Sequence, residues 1–263
     1  MSLFKIFRCD PEQNVPARYQ GYRMETEEGE TVLSALVRLR EEQDPSLAFR
    51  ASCRSGICGS DACRINGRAG LPCKAQVSEH LQDGVVVLEP LRGFPVIRDL
   101  VVDQTRFWEK LRQVKPWLIP GDPDPEKERL MRLVQEDFDG LSHASDCIFC
   151  AACYAECPMA GDDKPYLGPA ALLKAYRFAV DPRDAGGEER RAALEGPGGL
   201  WRCHLAFRCT EVCPKEISPA AAIGHLKNEA ARRHLGLGAK GPRELRANGT
   251  LEAVAEGAGK DGD

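Results

Sequence analysis

The sequence has no apolar run near the roughly 18 residues that a membrane-spanning helix needs. Its most apolar short stretch, Val85–Leu88, is bounded by Gly84 and Glu89. It has no excess of positive charge either. The 36 Lys and Arg against 40 Asp and Glu leave a net charge of −4, so no whole-chain field favours nucleic acid, and none is expected as a partner. The opening MSLFKIFRCDPE turns acidic too early for a secretory signal and lacks the Arg/Ser-rich character of a transit peptide, so the chain is expected to stay in the compartment where it is made. There is no dinucleotide fingerprint, no nucleophile–base pair and no repeat of the solenoid kind. With 263 residues, 43% hydrophobic and 29% charged, the chain has the balance of an ordinary globular protein and the length of two domains.

Cysteine is abundant: there are twelve. Without an export signal a disulfide framework is not expected, because cytosolic thiols are held reduced. Clustered cysteines then read as ligands of metals or clusters.

The organisation expected is α+β. Residues 3–8 alternate as a half-buried strand does, and 17–25 supply a hairpin partner. Thr31 can cap a short helix carrying Leu33, Leu36 and Val37 on one face. A Gly- and Cys-rich loop covers 51–63, the Asn66-Gly67 turn makes a hairpin, and 85–88 is a further strand closed by Pro90. This first domain spans 1–102. From 103 to 235 the pattern is helical: Phe107, Leu111 and Val114 share one face, and Leu130, Leu133, Val134 and Phe138 another. One helix opens at Pro169, and a last one runs from Pro219 to about Leu235, stopping at Gly236. Residues 236–263 are Gly-rich and poor in large apolar side chains, the composition of a flexible tail.

The cysteines fall into three sets. Cys53, Cys58 and the later Cys73 fit the plant-type [2Fe–2S] spacing C-x4-C-x2-C with a distant fourth ligand, but the third position is Asp61, with Cys63 as a rival two residues later. Ser55, Gly56, Gly59 and Ser60 are small enough to let the backbone curl around a cluster. The second set, Cys147, Cys150, Cys153 and Cys157 before Pro158, is the bacterial ferredoxin run C-x2-C-x2-C-x3-C-P. The third, Cys203, Cys209 and Cys213 before Pro214, repeats that run with Ala206 where a cysteine would stand. In two-cluster proteins the last cysteine of each run ligates the other cluster. Cys147, Cys150, Cys153 and Cys213 are therefore expected to hold [4Fe–4S]. Cys157, Cys203 and Cys209 offer three thiolates, which suits [3Fe–4S]. Structural zinc also uses C-x2-C pairs, but seldom a third cysteine at x2 and a fourth before proline. Cys9 is expected to be a buried small hydrophobe. His80, His143, His225 and His234 belong to no pattern, and Lys215, Arg50 and Arg54 are charges near the sets open to two readings, offsetting cluster charge or binding a partner, and ordinary solvated surface.

One [2Fe–2S] motif followed by a helical pair of cubane-type motifs resembles the iron–sulfur subunit of succinate dehydrogenase and fumarate reductase. The diagnostic stretches are CRSGICGSD at 53–61 with Cys73, CIFCAACYAECP at 147–158, CHLAFRCTEVCPK at 203–215 and PAAAIGHLK at 219–227. The resemblance implies a β-grasp plant-type ferredoxin domain followed by an all-α domain like that of bacterial ferredoxins. It implies Asp61 as the oxygen ligand of [2Fe–2S], since some relatives carry Asp there. It further implies an electron relay between the FAD of a flavoprotein and quinone at a membrane anchor able to carry haem b, with no flavin or dicarboxylate site in this chain. The location implied is peripheral, on the cytoplasmic side of a prokaryotic membrane. His204 and Lys227 match family residues near quinone, and Pro158 and Ala206 are expected to line the same region. Where ubiquinone-reducing relatives carry Trp after the second C-P, this chain has Met159, Ala160, Gly161 and Asp162, which points to menaquinone. The rival within the family is a soluble fumarate reductase with a non-quinone donor.

Overall fold

The structure is a computed structural model and describes residues 1–121, 143–181 and 183–237. Strand β1 (Ser2–Asp10) pairs antiparallel with β2 (Val15–Met24) and, on its other side, parallel with β5 (Val85–Glu89). Beyond β5 lie β3 (Cys63–Ile65) and β4 (Arg68–Gly70), giving a mixed sheet in the order β2-β1-β5-β3-β4. Parallel pairing needs a long crossover. Here it contains helix α1 (Val32–Glu42), the cysteine loop, the β3–β4 hairpin and the one-turn α2 (Val77–His80). Thr31 caps α1 by accepting the Ser34 N–H at 3.1 Å. The buried stripe of α1 includes Val32, Ala35, Leu36 and Leu39, while Val37 is only half-buried. It covers Phe4, Ile6, Tyr22, Val86 and Leu88 of the sheet. Asn66 (φ +49°) and Gly67 (φ +81°) make the expected tight turn between β3 and β4.

The buried face of β1 also carries Arg8, whose guanidinium meets Asp99 at 3.0 Å and Ser46 at 2.8 Å and also bonds Asp44 and the Tyr22 hydroxyl. Burial opposes the Asp44 carboxylate, but hydrogen bonds from Ser46, Tyr22 and Arg8 outweigh that and hold its pKa well below the usual carboxylate range. Arg8→Met is expected to destabilise the fold by about 3–5 kcal/mol, because it leaves buried carboxylates unpaired. The sign of the acid dependence follows. The stability due to Asp44 is fully present above the unfolded carboxylate pKa of about 4 and is lost as pH falls towards its depressed folded value. Urea unfolding of wild type and variant from pH 7 to 3 should show the gap shrinking with acid. Cys9, next along the strand, is half-buried rather than buried, because it points away from this face.

The short strands β6 (Val96–Arg98) and β7 (Val101–Val102) lead into α3 (Thr105–Gln113), on which Phe107 and Leu111 are buried as expected, as is Val114 just after it. The expected helix carrying Leu130, Leu133, Val134 and Phe138 lies outside the described residues, as does the tail beyond Leu237. Next come the one-turn α4 (Ala152–Ala155), α5 (Pro169–Ala179), α6 (Gly187–Glu195), a 3-10 turn (Leu200–Arg202), the one-turn α7 (Arg208–Glu211) and α8 (Pro219–His234). Helix α5 is apolar nearly all round and buried from Pro169 to Tyr176. Helix α8 opens with Ser218 accepting the Ala221 N–H and stops before Gly236, whose φ is +66°.

The sheet has its own core, but a larger one crosses between the halves. It joins Leu33, Ala69, Leu71 and Phe94 to Phe107, Tyr154, Leu172 and Ile223. The Phe94 and Tyr154 rings lie 5.0 Å apart. Polar ties reinforce the join: the Ala69 N–H donates to Glu156 at 2.9 Å, and Arg68 donates to the Glu211 carbonyl. This shared packing fixes the cysteine loop of the sheet half against the cysteine runs of the helical half.

Candidate iron–sulfur centres

In the first loop, Arg54, Gly56 and Gly59 all have positive φ (+58°, +71° and +68°), which turns successive N–H groups inward. Cys53 Sγ accepts from Ser55 at 3.4 Å, Ile57 at 3.3 Å and Cys58 at 3.2 Å. Those three donors pull the Cys53 thiol down to about 6, favouring the thiolate that iron needs. Cys58 Sγ lies 3.2 Å from Ser60 Oγ. The Asp61 carboxylate is buried, and one of its oxygens accepts the Cys73 N–H at 2.7 Å. Burial and Asp61 push the Cys73 thiol up to about 12, a proton that iron binding would displace. Cys53, Cys58, Asp61 and Cys73 are thus neighbours. Cys63 is not among them in the same way: it sits on β3 in the core of the sheet, with Phe4, Ile6 and Val77 in the same cluster.

The two helical runs repeat one backbone device. In the second set, Phe149 (φ +55°) and Ala151 (φ +63°) flank Cys150, and α4 follows. In the third, Leu205 (φ +53°) and Phe207 (φ +57°) flank Ala206, and α7 follows. Left-handed residues other than glycine cost about 1 kcal/mol each and persist where the surroundings over-determine them. Their recurrence at matching positions makes Ala206 the conformational counterpart of Cys150.

Electrostatics sorts the seven thiols. Burial pushes up Cys147, Cys150 (to about 12) and Cys153, and each also feels Cys213. Burial likewise pushes up Cys157 and Cys209 (to about 12), and these feel Cys203 and, for Cys209, Cys157. N–H groups aimed at the sulfurs work the other way: Phe149 for Cys147, Ala152 for Cys150, Met159 for Cys157 and Thr210 for Cys209. Among the described residues no three His, Cys, Asp or Glu side chains close tightly enough around a single ion; a cube of iron and sulfide is wider than an ion.

Cys157, Cys203, Cys209 and Ala206 line a cavity open on one side, together with Tyr166 and Ile223. Tyr166 is buried, and its hydroxyl has no nitrogen or oxygen partner among the described residues. A cavity with three thiols and a buried phenol without a nitrogen or oxygen partner fits a cluster with three thiolate ligands. Pro158 and His204 also line the cavity, at its exposed rim. Lys227 stands behind it: its Nζ donates to the Cys203 carbonyl at 2.6 Å and lies 5.9 Å from the Trp201 ring centroid.

Two functional features escape motif reading. Lys174, the one lysine on α5, is buried, donates to the Ala144 carbonyl at 3.2 Å and sits 4.9 Å over the Phe149 ring, where Cys147 feels its charge. A lysine amid the apolar first two turns of that helix was the available signal. The second is the closeness of two loops. A Cβ added at Gly59 would lie 2.7 Å from Cys150 Cβ and 3.0 Å from its Cα, so the first cysteine loop lies directly on the second. Gly59→Ala, strained in φ as well, is expected to weaken the paramagnetic signals of both neighbouring clusters while sparing the third. Gly56→Ala meets only the flexible Lys74 stem and should leave the [4Fe–4S] signal intact.

Two family models match the chain, a 2Fe-2S iron-sulfur cluster binding domain over residues 3–109 and a 4Fe-4S dicluster domain over 143–217. A fumarate reductase iron-sulfur subunit from Mycobacterium tuberculosis is 39% identical over 89% of this chain and 94% of the relative. A succinate dehydrogenase iron-sulfur subunit from Paracoccus denitrificans is 42% identical over 86% of each. A chain of the Mycobacterium smegmatis Sdh1 complex in the apo form superimposes with a TM-score of 0.78 at 32% identity, covering 89% of this chain and 97% of that one. With three cysteine sets in this arrangement and relatives this close over most of its length, the chain belongs to the family of iron–sulfur subunits of succinate dehydrogenase and fumarate reductase, the electron-carrying subunit of that oxidoreductase.

Proposed function

We propose that the chain relays single electrons between the FAD of a flavoprotein and quinone at a membrane anchor able to carry haem b. Cys53, Cys58, Asp61 and Cys73 would hold [2Fe–2S]. Cys147, Cys150, Cys153 and Cys213 would hold [4Fe–4S], and Cys157, Cys203 and Cys209 would hold [3Fe–4S]. When bound, the clusters supply the one-electron redox chemistry; the polypeptide supplies positions, charge and exclusion of water. The N-terminal part is read as a β-grasp domain to about residue 102, and the remainder to about 235 as a helical domain like that of bacterial ferredoxins.

The observation that carries this reading is the order of the sites. Gly59 puts the first loop against Cys150, and Cys153 feels both Cys213 and Cys209, which places the second set between the first and third. Two ends are then left for partners. At one, the [2Fe–2S] loop exposes Cys53, Ile57 and Cys58. At the other, Trp201, Leu205 and Phe207 expose apolar surface beside Pro158, His204 and Ala206, the surface expected to face the anchor and quinone. Lys227 would act there through the Cys203 carbonyl. Among the described residues no helix is long and apolar enough to cross a membrane. Our reading of its location is peripheral, on the cytoplasmic side of a prokaryotic membrane. The stretch Met159–Asp162, free of Trp, favours menaquinone.

The test is purification of the native complex with redox titration of its paramagnetic signals. The expected result is three signals, about nine irons per chain, a co-purifying hydrophobic anchor and faster turnover with naphthoquinone than with benzoquinone acceptors. Three clusters without an anchor would support a soluble fumarate reductase instead.

A further inference from the structure

Tyr166 lines the three-thiol cavity and is only 1% exposed. Its neighbour Leu167 is pinned by an N–H···O bond to the Gly198 carbonyl at 2.8 Å, so the ring sits on a fixed stretch of backbone. Yet its hydroxyl has no nitrogen or oxygen partner among the described residues, and the side chain within its hydrogen-bonding reach is Cys203. A buried hydroxyl left unpaired costs about 1–3 kcal/mol, and phenylalanine would fill nearly the same space without that cost. Such a group calls for a partner of another kind. The groups around it identify the kind. The groups that the phenol feels most are the side chains of Cys203 and Cys157, with Cys209 also contributing. An ordinary phenol titrates at about 10, so at neutral pH the oxygen keeps its proton. A protonated phenol turned towards anionic sulfur acts as a donor.

We infer that Tyr166 donates a hydrogen bond to sulfur of the cluster held by Cys157, Cys203 and Cys209, and thereby raises that cluster's midpoint potential. The inference rests on the proposed [3Fe–4S] occupancy of this cavity. Reduction adds negative charge to the cluster, and a donor to sulfur stabilises the more negative state more strongly. Tyr166 is thus a positioning residue for electrons. It biases the last station of the relay towards accepting them, while its phenylalanine variant keeps the shape of the cavity.

The experiment is a redox titration of the [3Fe–4S] signal in the purified complex, wild type against Tyr166→Phe. The expected result is a lower midpoint in the variant. A ten-fold shift in the one-electron equilibrium would read as about 59 mV. The midpoints of the other two clusters should stay unchanged. A wild-type complex without a three-iron signal sinks the cluster assignment itself. A wild-type signal with the same midpoint in the variant overturns the role of Tyr166 alone, because a merely structural role alters cluster content or stability and leaves the potential in place. Should Tyr166→Phe lose the cluster, complex prepared with ring-fluorinated tyrosine carries the test with the opposite sign. The fluorinated phenol is a stronger donor, so the midpoint should rise, and an unchanged value overturns the inference.

Discussion

Ala206→Cys is expected to abolish the three-iron signal and replace it with a second four-iron signal. The expectation rests on backbone conformation as well as on sequence spacing. Leu205 and Phe207 hold the same left-handed turns around Ala206 that Phe149 and Ala151 hold around Cys150, and a single helical turn follows in both runs. A cysteine at 206 would therefore present its sulfur as Cys150 does, into a cavity that Cys157, Cys203 and Cys209 already line. A fourth thiolate completes the ligand set of a cube and adds a negative charge close to the irons. Iron content should rise by about one atom per chain, and the midpoint of the site should fall. Electron transfer into that station should become about ten-fold or more less favourable, since a drop of some 59 mV is ten-fold in a one-electron equilibrium. Iron analysis and paramagnetic resonance on the purified complex check it. Persistence of the three-iron signal would mean that the repeat in the backbone does not carry position 206 to the missing corner.

What could be read in advance had local causes. The β1–β2 pairing shows as alternation, α1 through its Thr31 cap, the β3–β4 turn through Asn66-Gly67, and α5 and α8 through the prolines that open them. Each signal lies within a few residues of the structure it specifies. Helix α6 was not readable. Its sequence GEERRAALE has a weak apolar stripe, and only Arg190 among its residues is buried. That guanidinium pairs with Asp184 and donates to the carbonyls of Val114, Lys115 and Trp117, so the helix is held by contacts more than 70 residues away in the chain. The same division runs through the sites. The spacing of the cysteines gives the candidate ligands, because tight turns impose fixed intervals on the chain. Tyr166 and Lys174 gain their meaning only when tertiary packing brings them to the cysteine runs, and no interval in the sequence records that. Arg8 is a further case: an alternating strand reads as polar on one face, yet the arginine lies on the buried face with the acids that neutralise it.

The rival fourth ligands of the first centre should separate sharply on substitution. Asp61→Ala is expected to remove the [2Fe–2S] signal, whereas Cys63→Ser should leave it in place. Asp61 is a buried carboxylate that already contacts the backbone of Cys73, and burying a charge in this way is costly unless it is paired or coordinates a metal. Its replacement by alanine removes the only oxygen donor that the motif provides at this position. Cys63 has a different set of neighbours. It lies on β3 opposite Gly70, in the same core as Phe4, Ile6 and Val77, and burial pushes its thiol pKa far above the ordinary thiol range, as suits a neutral core side chain. A serine there would place a hydroxyl without an evident partner in apolar surroundings, at a cost of about 1–3 kcal/mol in stability, so the variant should melt earlier while its spectrum stays that of wild type. Asp61→Cys supplies the control, since it restores the plant-type spacing and should restore the signal with it. Loss of the signal in Cys63→Ser, with retention in Asp61→Ala, would require β3 to turn its thiol out of the sheet core when iron binds, and would reassign the ligand.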